Sequence, residues 1–429
     1  MGNEALNKAK AEYAKVESRY VKALEGKGLV FAAPNEGADE RARLREELAK
    51  RGVKVRNAGA SLSVGHLSPA CVECTGENGS ETFSTTFKCH RDCYFCFNRN
   101  QADYEVFFEA GCPWEEGLER CRRENETLGC IGLTGGEPLL NVDDSVRFLE
   151  RAHELFPKAH MRMYTSGDLL TKEAAARLRD AGLDEIRFSV KDDDSHEQQA
   201  KVLSAMRLAK DYFPSVMVEM PIIPGAEDHM KGLLRKFDDI GIDGINMLEF
   251  CFPFCNWEEF EKRGLKLKNP PFEIMYDYGY SGGLAVAGSE ELILRLMLWA
   301  LDEGIGIGMH YCSLENKHRS EIRIKNERIA EGFPMFEFDE GDFFLKIGKV
   351  FGEDVDVARP ALEAAGCADL REDEDEQSLA FPLAFADALA GLVRADGDPI
   401  EPQACYFVYE TDDEGAYLID IALEPLEVG

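Results

Sequence analysis

The sequence predicts an α/β protein: a mostly parallel, incomplete (β/α) barrel, with N-terminal helices before it and a small C-terminal α+β domain after it. Three observations predict this. A strand–helix alternation runs from about Glu81 to Cys312. Apolar residues make up 45% and charged residues 30%, an ordinary globular balance with ample material for a core. Composition then changes near Met335: residues 335–429 hold 25 acidic and 5 basic residues, a net of −20, against −12 for the other 334. The expected divisions are residues 1–80 (helices and a linker), 81–334 (barrel) and 335–429 (acidic domain).

Each element has a local reason. Residues 3–26 place Tyr13, Val16, Tyr20 and Leu24 on one helical stripe. A second helix runs from about Asp39 to Arg51 and stops at Gly52. NAGASLSVGHLSPACVEC follows as a looser stretch. TFSTTFKC reads as a strand ending at Cys89, and residues 106–125 as one helix. Strands are then expected at 130–136, 160–167, 185–190, 215–223 and 244–250, alternating with helices at 142–156, 171–182, 194–213 and 227–241. Six parallel strands joined by helices form a βαβ series, for which right-handed crossovers favour a barrel or a doubly wound sheet. A helix at 289–304 leads into a late strand, GIGMHYC, which approaches the first strand if the barrel nears closure. ACYFVYETDDEGAYLIDIAL reads as a hairpin turning at DDEG.

Charge and termini exclude some classes. The net charge is −32 (49 basic, 81 acidic), which disfavours a nucleic-acid backbone or an anionic membrane as partner. MGNEALNKAK lacks the apolar core of a signal peptide, and LAFPLAFADALAGLV is interrupted by Pro382 and Asp387. A cytoplasmic protein is expected, its thirteen cysteines being thiols or metal ligands rather than disulfides.

The sharpest feature is Lys88-Cys89-His90-Arg91-Asp92-Cys93-Tyr94-Phe95-Cys96. Three thiolates at spacings x3 and x2 can hold three irons of a [4Fe–4S] cubane and leave the fourth iron open. Zinc completed by His90 or a distant cysteine is the other reading of the loop alone. The loop, with an aromatic residue before its third cysteine, resembles the signature of the radical S-adenosylmethionine (SAM) superfamily. Thr134-Gly135-Gly136-Glu137-Pro138 after the second strand is similar to that family's GGEP motif. The resemblance spans about residues 82–250, extends toward 313, and displaces the zinc reading.

The resemblance implies a cluster on Cys89, Cys93 and Cys96, with SAM on the open iron. It implies Gly135, Gly136, Glu137 and Pro138 beside the methionine amino group, Glu137 offsetting its charge. Thr165 and Ser166, in YTSG, match segments that meet ribose or methionine. Ser189 resembles a SAM contact, and Lys191 the lysine that meets the SAM carboxylate in glycyl-radical activating enzymes. Phe95 is expected to flank adenine, near the strand exit at Pro221 and Pro224. The activity implied is cleavage of SAM to a 5′-deoxyadenosyl radical that abstracts hydrogen from a substrate. A peptide or protein substrate is slightly favoured over a small molecule, with a flavodoxin- or ferredoxin-like reductant as partner. A non-catalytic iron–sulfur protein is the rival from another class. Cys71 and Cys74, two residues apart, suggest half of a further metal site, a second Fe–S cluster or zinc, with Cys312 as a partner.

Overall fold

The structure is a computed structural model describing all residues except 1–2, 77, 125–126, 192–193, 272–279, 281, 328, 330–331, 333, 413–414 and 429. Contacts divide into two compact units: residues 30–269 with 280–317, and residues 1–29 with 270–279 and 318–429. The divisions expected at residues 80 and 334 lie elsewhere. Helix α1 (Glu4–Glu25) groups with the C-terminal strands because Ala5 and Leu6 share a core with Ile347, Phe351, Cys405 and Leu423. The second helix and the CxxC stretch belong to the barrel unit.

The barrel unit runs in chain order through α2 (Ala38–Lys50), β1 (Lys54–Arg56), β2 (Ser61–Val64), α3 (Pro69–Glu73), β3 (Ser80–Ser84), α4 (Tyr104–Ala110), α5 (Trp114–Glu124), β4 (Cys130–Thr134), α6 (Val142–Leu155), β5 (His160–Thr165) and α7 (Lys172–Asp180). It continues with β6 (Glu185–Phe188), α8 (His196–Ala209), β7 (Ser215–Ile222), α9 (Glu227–Ile240), β8 (Gly244–Glu249), β9 (Cys251–Phe252), α10 (Trp257–Lys262), β10 (Leu284–Ala285), α11 (Ser289–Glu303), β11 (Gly308–Cys312) and the start of α12 (Leu314–Glu327).

One sheet has the order β1-β2-β11-β8-β7-β6-β5-β4-β3. The expected incomplete, mostly parallel architecture is present, with seven parallel strands rather than six, because β11 joins β8 in parallel. The other edge of β11 is taken by antiparallel β2 instead of by β3, so the sheet stays open. β1 and β2 replace the expected loose stretch. Ser61 and Ser63 are buried on the sheet's polar face, so no apolar pattern announces the strand. The helix expected over 106–125 is two helices, broken at Gly111 (φ 84°) and Pro113.

The sheet has two unlike faces. Ile131, Met163, Ile186, Val218, Ile245 and Met309 are almost wholly buried on one, in a single apolar core with helix residues such as Phe148, Leu178 and Phe237. Each such side chain contributes about 1.5–3 kcal/mol on burial. The registers Thr82↔Gly132↔Arg162, Tyr164↔Arg187 and Glu219↔Asn246↔His310↔Ser63 line up the other face, which is polar.

The second unit holds α1 and an antiparallel sheet of β12 (Glu337–Phe338), β13 (Leu345–Phe351), β14 (Arg371–Asp373), β15 (Ser378–Phe381), β16 (Gln403–Asp412) and β17 (Gly415–Pro425), with α13 (Asp354–Ala364) following β13. The expected hairpin is β16 and β17; residues 413–414 of its turn lie outside the described residues.

Candidate functional site

β3 ends at Ser84, not at Cys89. Beyond it the backbone leaves the ladder and turns its carbonyls to other partners. Thr85 O accepts from Cys112 N at 2.9 Å, Thr86 O from Gly136 N at 2.7 Å, and Lys88 O from Glu137 N at 2.8 Å. The GGE segment after β4 is thus laced to the cysteine loop. Only glycine permits this approach. A Cβ on Gly136 would lie 1.9 Å from Lys88 O, and one on Gly135, at φ 122°, would lie 2.2 Å from Thr86 O. Asn98 Nδ2 donates to Gly135 O at 2.5 Å, a tie the sequence reading missed.

The three cysteines are free thiols, Cys89 exposed and Cys93 and Cys96 half-buried. Cys96 N donates to Cys93 O at 3.1 Å, which turns the loop back on itself. Partial burial raises the Cys89 thiol, opposed by the Arg91 N–H; Glu137 and Cys93 raise it further and Lys191 lowers it, so all of these stand close by. Tyr94 and Phe95 anchor the loop by packing edge-on against Phe250, with centroids 6.2 and 5.6 Å away. Lys191 Nζ sits 5.9 Å from the Phe95 ring centroid.

Glu137 is only 1% exposed. Its Oε1 accepts from Leu139 N (3.1 Å) and Thr165 Oγ1 (2.6 Å), and its Oε2 from Ser166 N (2.7 Å) and Ser166 Oγ (2.6 Å). A carboxylate has about four lone-pair sites, and here three face protein donors of its own while the fourth faces a Ser166 hydroxyl shared with Asp168. Glu137 therefore ties the segment after β4 to the end of β5. Ser166 Oγ also lies 2.7 Å from Asp168 Oδ1, and its single proton serves one carboxylate at a time. Asp168 is joined by His90 Nε2 at 3.0 Å and by Arg91, which pairs with Asp194 at 2.7 Å. Burial alone would raise the Asp168 carboxyl, but hydrogen bonds from Ser166 and His90 and the Arg91 charge hold it below its usual range. Sequence reasoning missed this network; the available signal was Asp168 directly after YTSG.

Pro138 is buried at the first position of a short 3-10 turn, its carbonyl accepting from Ser145 Oγ at 2.9 Å. Ser189 N donates to Thr165 O at 2.9 Å, and Ser189 Oγ to Glu219 O at 3.2 Å. Residues singled out after four different strands therefore meet at the C-terminal ends of β3 to β6, where parallel α/β sheets place their chemistry.

Cys71 lies on α3, Cys74 caps it, and Cys312 ends β11. Burial pushes the Cys312 thiol up to about 12; Lys317 opposes this, and Cys74 and Cys71 add to it, so the three share a neighbourhood. Cys71 Sγ accepts from Arg187 Nη2 and Cys312 Sγ from Asn316 Nδ2, each at 3.4 Å. Among the described residues no three His, Cys, Asp or Glu side chains converge as a metal-holding group, Cys89, Cys93 and Cys96 included. What favours a cluster at the latter is the donor set itself, three free thiols on one loop, above a cradle that a Cβ would fill.

Residues 83–237 match the Radical SAM superfamily. A protein of Methanocaldococcus jannaschii named as a glycyl-radical enzyme activating enzyme is 29% identical over 240 residues, 54% of this chain and 60% of that relative. A GTP 3′,8-cyclase of Nautilia profundicola is 33% identical over 168 residues, 39% of this chain and 48% of the relative. The chain thus spans less than two thirds of either. The crystal structure of Streptococcus suis SuiB bound to precursor peptide SuiA overlaps 70% of this chain and 57% of that one, at 14% identity and a TM-score of 0.41.

Proposed function

We propose that this member of the radical SAM superfamily cleaves SAM reductively and uses the resulting radical to abstract hydrogen from a peptide or protein. The observation that carries the reading is the pair of backbone hydrogen bonds that seats Gly136 and Glu137 on the cysteine loop. The family's cofactors, a [4Fe–4S] cluster and SAM, supply when bound the electron and the 5′-deoxyadenosyl radical.

In this reading Cys89, Cys93 and Cys96 hold the cluster. Gly135 and Gly136 keep the site open to close backbone approach, and Pro138 fixes the turn behind them. Glu137 orients Thr165 and Ser166, which with Ser189 line the SAM side of the site. Lys191 faces the SAM carboxylate, and Phe95 the adenine. A peptide or protein substrate draws support from the longer relative, whose name is that of an activating enzyme. The small-molecule reading draws on the cyclase relative. In this reading a flavodoxin- or ferredoxin-like protein supplies the electron, and the thirteen free thiols suit a reducing cytoplasm. No described helix is long and apolar enough to cross a membrane.

The test is anaerobic. The reconstituted, reduced chain is expected to release 5′-deoxyadenosine from SAM, and the Cys89, Cys93 and Cys96→Ala triple variant is expected to release none. Full cleavage by that variant overturns the proposal. Label passing from a deuterated cell extract into 5′-deoxyadenosine, traced to a macromolecular or a small-molecule fraction, decides the substrate class.

A further inference from the structure

The polar face of the sheet holds a closed ionic network and, beside it, polar groups that are not closed. Arg187, 1% exposed, is fully employed: Nε donates to Glu185 at 2.5 Å, Nη1 to Glu219, and Nη2 to Ser68 at 2.9 Å. Glu185 in turn accepts from Ser68 at 2.7 Å and from Ser215 at 3.1 Å. These contacts are structural and complete.

The neighbouring groups differ. Arg162 is 7% exposed; its Nη2 donates to the Ser80 and Thr82 hydroxyls at 3.1 and 3.3 Å, and its Nε has no partner. No described carboxylate forms an ion pair with it. The side chain of Lys317, in the first turn of α12 just past the end of β11, forms no hydrogen bond or ion pair with a described residue; its Nζ is 6.0 Å from the Tyr280 ring centroid. Burial works to lower its ammonium, but Tyr280, Cys312, Cys251 and Glu219 around it outweigh that, and Lys317 stays charged.

Two buried polar atoms without partners complete the set. Asn246, 4% exposed, spends Nδ2 on Glu219 at 2.7 Å and leaves Oδ1 without a partner. His310, 3% exposed, meets Ser61 Oγ at 2.8 Å through Nε2 and leaves Nδ1 without a partner. Burial, with Arg187 nearby, lowers His310 to about 3, so the ring is neutral, and Nδ1 donates or accepts according to the role Ser61 takes. Asn246 and His310 are register partners across β8 and β11, so they are neighbours on this face. Buried polar atoms without partners are costly and rare in folded proteins, and here they cluster on the face where a substrate would lie. Arg162, Arg187 and Lys317 stand against Glu185 and Glu219, a local excess of one positive charge in a chain of net −32.

We infer that this face receives a substrate bearing an anionic group, a carboxylate or a phosphate, with Lys317 as its anchor, Asn246 Oδ1 accepting a polar hydrogen of the same molecule and His310 Nδ1 engaging another of its polar groups. The inference rests on the radical SAM reading and names the class of substrate for that site. Arg162 adds positive potential from β5. A substrate peptide would supply the group as a C-terminal or side-chain carboxylate; a nucleotide-like substrate would supply it as phosphate.

The test uses the full chain, anaerobic, with its cluster reconstituted and SAM bound. Equilibrium dialysis with labelled succinate and labelled pyrophosphate, at ionic strength matched with chloride, measures binding of each. One of the two is expected to bind saturably, and which one identifies carboxylate or phosphate. Lys317→Gln is expected to weaken that binding about tenfold, and Lys317→Arg to restore it, as for a charge-assisted contact. Absence of saturable binding by both probes, or equal affinity in Lys317→Gln, overturns the inference. Should Lys317→Gln not fold, hydrogen exchange of the wild-type chain decides. The bound probe must slow exchange in residues 308–317, and protection confined to other segments overturns it. Release of 5′-deoxyadenosine by the same preparation tests the enzyme reading separately; release without probe binding removes the substrate class alone.

Discussion

At the scale of single residues, the motif glutamate is the clearest case of a side chain that works through others. Glu137 meets four protein donors, one of them the Ser166 hydroxyl that it shares with Asp168, so its lone pairs are engaged inside the fold. Glu137→Gln puts an NH2 group where at least one donor already points. We expect a stability loss of about 1–3 kcal/mol, read as a lower urea midpoint at unchanged slope. SAM affinity should fall on the order of tenfold or more as Thr165 and Ser166 lose their orientation; an unchanged SAM dissociation constant with iron intact would remove Glu137 from the site. Gly136→Ala tests the cradle independently. Its Cβ would meet a backbone oxygen that cannot swing away, so the loop must undock. The expected result is a folded chain that incorporates little iron, checked by circular dichroism and iron assay together; full iron loading would show that the loop has another way to hold its shape.

At the scale of elements, the parallel strands were legible because their outer face is continuously apolar, and runs such as CIGLT and SVMVEMPI carry that signal alone. β2 was not, because its serines face a polar interior. The helix break at Gly111 and Pro113 was written in the chain, yet the flanking aromatic and acidic pattern masked it. The cysteine loop and GGEP were legible from spacing. Glu137's burial was not, since it depends on Thr165 and Ser166 arriving from β5, 28 and 29 residues later. The pair Cys71 and Cys74 falls between these cases. Cys312 was expected near it only if the barrel closed, which it does not, and Arg187 and Asn316 already donate to two of the three thiols. We therefore expect about four irons per chain, one cubane. Removing Cys89, Cys93 and Cys96 together should leave no iron. Residual iron near four, lost on further Cys71→Ala, would establish an auxiliary cluster.

At the scale of the whole molecule, each unit holds a carboxyl that titrates away from its usual range, and the two are displaced in opposite directions. In the barrel unit, burial would raise the Glu185 carboxyl, but Arg187, His160 and Ser68 outweigh it and hold it far below its usual range. That group stabilises the fold above the unfolded carboxylate value and loses its contribution only in strong acid. In the other unit Asp420 is pushed up to about 6, by burial first, against the hydrogen bond from Tyr13 and the Lys349 charge. An unfolded aspartate titrates near ~3.9. The folded state therefore holds the Asp420 proton more tightly. Its contribution is fully present below about pH 4 and is lost as pH rises through about 6. Above that, a carboxylate whose side chain is 30% exposed sits charged beside Glu376, with Lys349 3.9 Å away as its cation. Asp420→Asn keeps an acceptor for Tyr13 and removes the titration. Thermal melts of the full chain should show the variant more stable than the native chain at about pH 8, with the difference shrinking toward about pH 5, since Asp420 is then mostly protonated. A difference that is the same at both pH values would mean that Asp420 does not titrate in this range, and a variant less stable at about pH 8 would mean that its pairing with Lys349 outweighs its burial.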